Sequence, residues 1–199
     1  MIKLVHGIFT TTKHRLLFIQ AIAFCAKRGD SQSIQFMIDV IREASGDTSL
    51  NLKDIDYDRL NETTDVDTLA VLADNGIIDS NTHQSRSNIV KILDNACNTG
   101  HVETIRFIDQ RFNQNGPHPG GRMMLVPTYP AIEKAVMLNH HSVIKYLFDR
   151  KSIYWRSMEL QQSHPLNAIR LLKQLQYYAF NNGHLNIIND CTKLINQLV

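Results

Sequence analysis

A chain of 199 residues, 43% hydrophobic and 20% charged, has the composition of a folded globular protein, which excludes global disorder. Its length suits one well-buried domain or a short array, and a formal net charge of +2 is too small to attract nucleic acid or a membrane surface at long range. The three cysteines, Cys25, Cys97 and Cys191, are too scattered for a disulfide framework or a CxxC metal site, so reduced, packed thiols in a cytoplasmic protein are expected.

Apolar residues recur every three or four positions along most of the chain, and strand-like alternation is almost absent, which predicts an all-α fold. The expected helices span 15–28, 32–44, 66–75, 87–98, 102–112, 131–138, 142–150, 167–181 and 185–198. The first contains an apolar run, 16–26, behind Lys13, His14 and Arg15 that has the outline of a signal peptide. It is too short to span a bilayer, contains Gln20 and runs on into the first helical hairpin, so it is assigned to the fold. Irregular joints are expected at 45–54, 79–87, 112–130 and 161–165. The third holds Gly116, Pro117, Pro119, Gly120, Gly121, Pro127 and Pro130, which no continuous helix can cross.

Four segments align without gaps on a single turn: 24–38, 95–109, 134–148 and 178–192. The turn residue is Gly29, Gly100, Asn139 and Gly183, the two residue types that accept positive φ most cheaply, as a left-handed helix cap requires. Small residues dominate three and four positions upstream, although Phe180 stands where Ala26, Cys97 and Val136 stand. Five positions downstream are Ile34, Ile105, Ile144 and Ile188, and eight downstream Met37, Ile108, Leu147 and Cys191, an i, i+3 apolar stripe. Seven downstream, Phe36, Phe107 and Tyr146 give way to Asp190, which is expected to belong to the polar outer face of a terminal unit.

The segment ACNTGHVETIRFI, 96–108, resembles the helix-turn-helix core of an ankyrin repeat, and 180–188 and 139–147 are similar to it in more decayed form. His101, His140 and His184 take the place of the family's Gly-His histidine, and Asp30 replaces it in the first unit. The family's Thr-Pro-Leu-His opening is missing, and turn spacings of 71, 39 and 44 residues depart from a period of about 33. The longest gap is close to two periods, and 66–78 could be a truncated unit within it. The resemblance implies one domain, 1–199, built as a degenerate solenoid of stacked helical hairpins, with units at 15–44, 87–112, 131–150 and 167–198. It also implies a non-enzymatic scaffold that binds a protein partner as a monomer.

No GxSxG elbow, Walker loop, HExxH or strand-borne GxGxxG is present, so no catalytic, cofactor or metal residue is assigned. The adjacent His140 and His141 would point about 100° apart on a helix, poorly placed to share a metal. The candidate partner-binding residues come from two stretches. One is the apolar loop 116–130, with Arg122, Met124 and Tyr129; the other is the basic, aromatic segment 149–160, with Tyr154, Trp155 and Arg156. Aromatics among cations at 149–156 also suit nucleobase stacking, so a nucleic-acid-binding helical domain is the second possibility and an all-helical enzyme the third.

Overall fold

The computed structural model describes residues 12–45, 57–113, 124–150 and 165–198, and among them the only regular structure is helix. Ten helices lie among the described residues: α1 Thr12–Arg28, α2 Ser31–Ser45, α3 Tyr57–Leu60, α4 Val66–Asp74, α5 His83–Thr99, α6 Val102–Phe112, α7 Tyr129–Met137, α8 His141–Asp149, α9 Pro165–Asn181 and α10 Leu185–Leu198. The chain divides into two compact units, Met1–Ile92 and Leu93–Val199, the division falling within α5.

In the first unit α1 packs on α2, α3 lies against α1, and α4 against α2. Gly29 ends α1 at φ +71°, and Asp30 then opens α2 by accepting the Ser33 amide at 3.0 Å, satisfying one of the orphan donors of the first turn. Asp65 does the same for α4, accepting the Thr68 amide at 2.8 Å. Asn75 fastens the far end of α4 to α2: Arg42 donates to its Oδ1 at 2.6 Å, and its Nδ2 donates to Gln35 at 3.1 Å. The core beneath is aliphatic, with Ile22, Ile34, Ile38, Leu60, Leu69 and Leu72 fully buried. The apolar run at 16–26 is accounted for by this packing, since Ile19, Ile22, Ala23 and Ala26 face inward.

In the second unit the hairpin α7–α8 is followed by the hairpin α9–α10, with α7 against α9 and α8 against α10. On its other side α8 packs against α6. The first helices of the hairpins thus form one row and the second helices another. Ile105, Ile108, Ile144, Leu147, Ile187 and Cys191, all on the second helices, are buried between them.

The four turn residues have the backbone their types imply, with φ of +71° at Gly29, +81° at Gly100, +57° at Asn139 and +72° at Gly183. Each turn is closed by a six-to-one hydrogen bond: Asp30 N to Cys25 O, His101 N to Ala96 O, His140 N to Ala135 O and His184 N to Ala179 O, at 2.9–3.0 Å. This is the Schellman closure that gives partners to carbonyls left over at a helix end.

A fifth positive φ, +71° at Gly76, ends α4 with the same closure, Ile77 N to Leu72 O. It does not reverse the chain between paired helices, however. The residue seated against Gly29 is Asp65, whose Cβ lies 3.3 Å from where a Gly29 side chain would begin. The second hairpin is therefore α3–α4, reversed at residues 61–65, with Leu69 and Leu72 on its inner stripe.

One further boundary and one further element differ from expectation. Helix α5 begins at His83, inside the expected joint 79–87, because Thr82 caps it by accepting the Ser85 amide at 3.1 Å. The four residues of α3 carry too little periodicity to be visible in sequence.

Candidate functional site

The turn ridge of the second unit is built by one interaction made twice. His140 Nε2 lies 3.1 Å from the Asn98 carbonyl, two positions before Gly100, and His184 Nε2 lies 3.1 Å from the Met137 carbonyl, two positions before Asn139. A carbonyl can only accept, so Nε2 carries the proton in both rings. Each turn is thereby tied to the one before it. Gly100 leaves room for this: a Cβ there would stand 2.8 Å from His140 Nδ1. The ridge also carries Met137 and Leu138, both exposed.

At the opposite ends of the second helices lies a buried polar cluster centred on Asp109, which has no solvent exposure. The Tyr146 hydroxyl donates to its Oδ2 at 2.9 Å, Asn113 Nδ2 donates to its Oδ1 at 2.8 Å, and Arg150 Nε stands 3.5 Å away as an ion partner. A buried carboxylate is tolerated only when partnered in this way. Burial, the Asp109 charge and that hydrogen bond push the Tyr146 phenol up to about 12, against the opposing influence of Arg150 and Arg106. The Arg106 guanidinium sits 5.4 Å over the Tyr146 ring while Glu103 holds it from the side at 2.7 Å. Asn113 also receives the Leu125 amide at 3.0 Å and donates to the Leu125 carbonyl at 2.8 Å, which pins residue 113 to residue 125.

Between α8 and α10 runs a groove of about 200 Å³ lined by Lys145, Phe148, Asp149, Asp190, Lys193 and Leu194. It is smaller than the roughly 300–1,000 Å³ common for small-molecule sites and has room for one or two side chains of a partner. His141 Nε2 lies 3.0 Å from Asp190 Oδ2 and joins the two helices at one end. Asp190 thus faces back toward the preceding hairpin, which corrects the expectation that it belongs to a polar outer face; an i+7 helical position turns toward whichever helix stands behind it.

Of the six residues singled out in sequence, Arg122, Tyr154, Trp155 and Arg156 lie outside the described residues. Met124 is half-buried, next to the pinned and buried Leu125. Tyr129 opens α7, and its hydroxyl is buried; burial, with the nearby Glu133, Tyr178 and Cys191, holds that phenol well above the usual tyrosine range. The structure brings Met124 and Tyr129 onto the same short run before and into α7 but gathers them into no common pocket with the Lys145–Lys193 groove.

Among the cysteines, Cys97 and Cys191 are fully buried, and burial pushes the Cys191 thiol up to about 12 and Cys97 higher still. Such thiols are poor nucleophiles. Among the described residues there is no group of three or more His, Cys, Asp or Glu side chains able to hold a metal ion, and no helix is long and apolar enough to cross a membrane. Sequence inspection missed Asp109, because a charge inside an apolar stripe carries no local signal of its partners. Phe180 stood out by its size among Ala26, Cys97 and Val136, but size alone gave no sign of its exposure. No family model matches this chain, nor does any curated protein or solved structure.

Proposed function

We propose that the chain is a non-enzymatic protein-interaction scaffold of ankyrin-repeat type, a stack of helical hairpins that offers the α8–α10 groove and the exposed turn ridge to a protein partner. The observation that carries this is the repeated turn-to-turn bond, His140 to Asn98 and His184 to Met137, made at the same offset in successive hairpins. The residues opening the second helix of each hairpin are Asp30, Asp65, His101, His140 and His184, spaced by 35, 36, 39 and 44 residues. The first two spacings come close to the ankyrin period of about 33, once α3–α4 is counted as a hairpin. In such an array core positions are consumed by neighbouring units, so recognition falls to ridges, grooves and loops. The groove supports a peptide-like partner because it sets Lys145 and Lys193 beside Asp149 and Asp190 around Phe148 and Leu194, a mixed lining unsuited to a polyanion.

Affinity capture of the tagged full chain from its native cells, read by mass spectrometry, tests this against a Leu138→Asp, Lys193→Glu double variant of unchanged melting temperature. The expected result is a small set of proteins enriched by the wild type and lost by the variant. Retention of nucleic acid that falls steeply with added salt would transfer the assignment to the 149–156 segment. No enrichment above the tag control would contradict a scaffold.

A further inference from the structure

Positions counted from the turn residue mark where successive hairpins of the second unit meet. Six before the turn, a side chain reaches the following hairpin: Asp94 accepts from Thr128 N and Oγ1 at 2.7 and 2.8 Å, and Glu133 is hydrogen-bonded to the Tyr178 side chain. Two after the turn, His141 meets Asp190 of the following hairpin. Three before it, Ala26, Cys97 and Val136 are fully buried. In α9–α10 these same positions hold Tyr177, Leu185 and Phe180, which are 62%, 71% and 72% exposed. Among the described residues nothing covers them, so α9–α10 presents an apolar face at the positions by which earlier hairpins receive their neighbour.

The other side of the contact has its own positions. Five before the turn, Tyr178 meets Glu133 of the preceding hairpin; seven after it, Tyr146 meets Asp109 and Arg106, and Asp190 meets His141. In α1–α2 those positions are Phe24 and Phe36, 49% and 58% exposed. Asp30 stands where later hairpins have a histidine, and the seat of Asp65 beside Gly29 shows that aspartate fits there. One hairpin of this chain therefore displays a donor-side apolar face and another the matching receiver-side face.

Resting on the repeat reading above, we infer that the chain self-associates head to tail, the Tyr177–Phe180–Leu185 face of one copy receiving the Phe24–Phe36 face of a second copy as a further hairpin of the stack. A contact two helices wide and about 20 Å long buries on the order of 600 Å² per copy, at the lower edge of specific interfaces. Association is accordingly weak and grows with concentration. Because the two faces differ, the contact is heterologous, and one copy offers both halves of it.

Sedimentation velocity on the full chain from about 2 to about 300 μM tests this, with Phe180→Asp and Phe36→Asp as variants at exposed positions and circular dichroism to confirm the fold. The wild type should shift to larger species as concentration rises. Each variant alone should stay monomeric, and an equimolar mixture of the two should form a dimer and nothing larger, because each contributes the face the other has lost. A wild type that is monomeric throughout overturns the inference. So does a single variant that associates as the wild type does, which would indicate pairing of like faces. If either variant misfolds, Leu185→Glu and Phe24→Glu repeat the experiment on the same two faces. A monomeric wild type leaves the protein-scaffold proposal intact, since that proposal stands or falls on the capture experiment.

Discussion

Gly100 answers two demands at once: its φ is +81°, and a Cβ would come within 2.8 Å of the His140 ring. Gly183 answers only the first, for nothing lies within 4 Å of where its Cβ would stand. The left-handed backbone alone costs a side chain about 1–2 kcal/mol. Displacing a ring that bridges two turns adds a lost hydrogen bond and strain, raising the total to about 3 kcal/mol or more. Thermal melts should therefore show Gly100→Ala falling well below Gly183→Ala, and Gly100→Val lower again. Asn139 already sits at φ +57°, so Asn139→Gly should leave the melting temperature unchanged or raise it slightly. Equal losses at residues 100 and 183 would mean that the His140 contact contributes nothing.

Between elements, the Asp109 cluster locks hairpin to hairpin and closes the chain between residues 113 and 125. Asn113→Ala removes three hydrogen bonds at once and strips Asp109 of a donor, so a loss of about 2–4 kcal/mol is expected. The Leu125 amide, which donates to Asn113, should then exchange faster with deuterium; an unchanged rate would show that the clamp does not hold in solution. Tyr146 gives a second test through pH. Its pKa is raised in the fold, so the native state keeps a proton that the unfolded chain sheds above about pH 10. The stability tied to this group is complete below pH 10 and is lost as pH rises toward 12. Tyr146→Phe should be less stable than the wild type near neutrality and should show a shallower fall over pH 10–12, as followed by urea unfolding. Parallel curves would place Tyr146 outside the network.

Across the whole molecule, what could be read from sequence was what local chemistry determines. Helical periodicity located nine of the elements because their apolar stripes recur at 3.6 residues, and the turns at 29, 100, 139 and 183 were legible because so few residue types accept positive φ. The α3–α4 hairpin was not, since α3 has a single turn and residues 61–65 reverse without a positive φ, so only its second helix, within 66–78, left a signal. The candidate site was less legible still. Tyr129 and Asp190 are polar or amphipathic residues whose direction depends on which helix packs behind them, and no pattern along the chain encodes that.

In the second unit successive hairpins are fastened by their turn histidines, His140 to Asn98 and His184 to Met137. Side-chain nuclear Overhauser spectra of the full chain test that most directly. A slowly exchanging Nε2 proton is expected on both rings, with contacts from His140 to residue 98 and from His184 to residue 137. Rings that exchange freely and contact only their own sequence neighbours would contradict it.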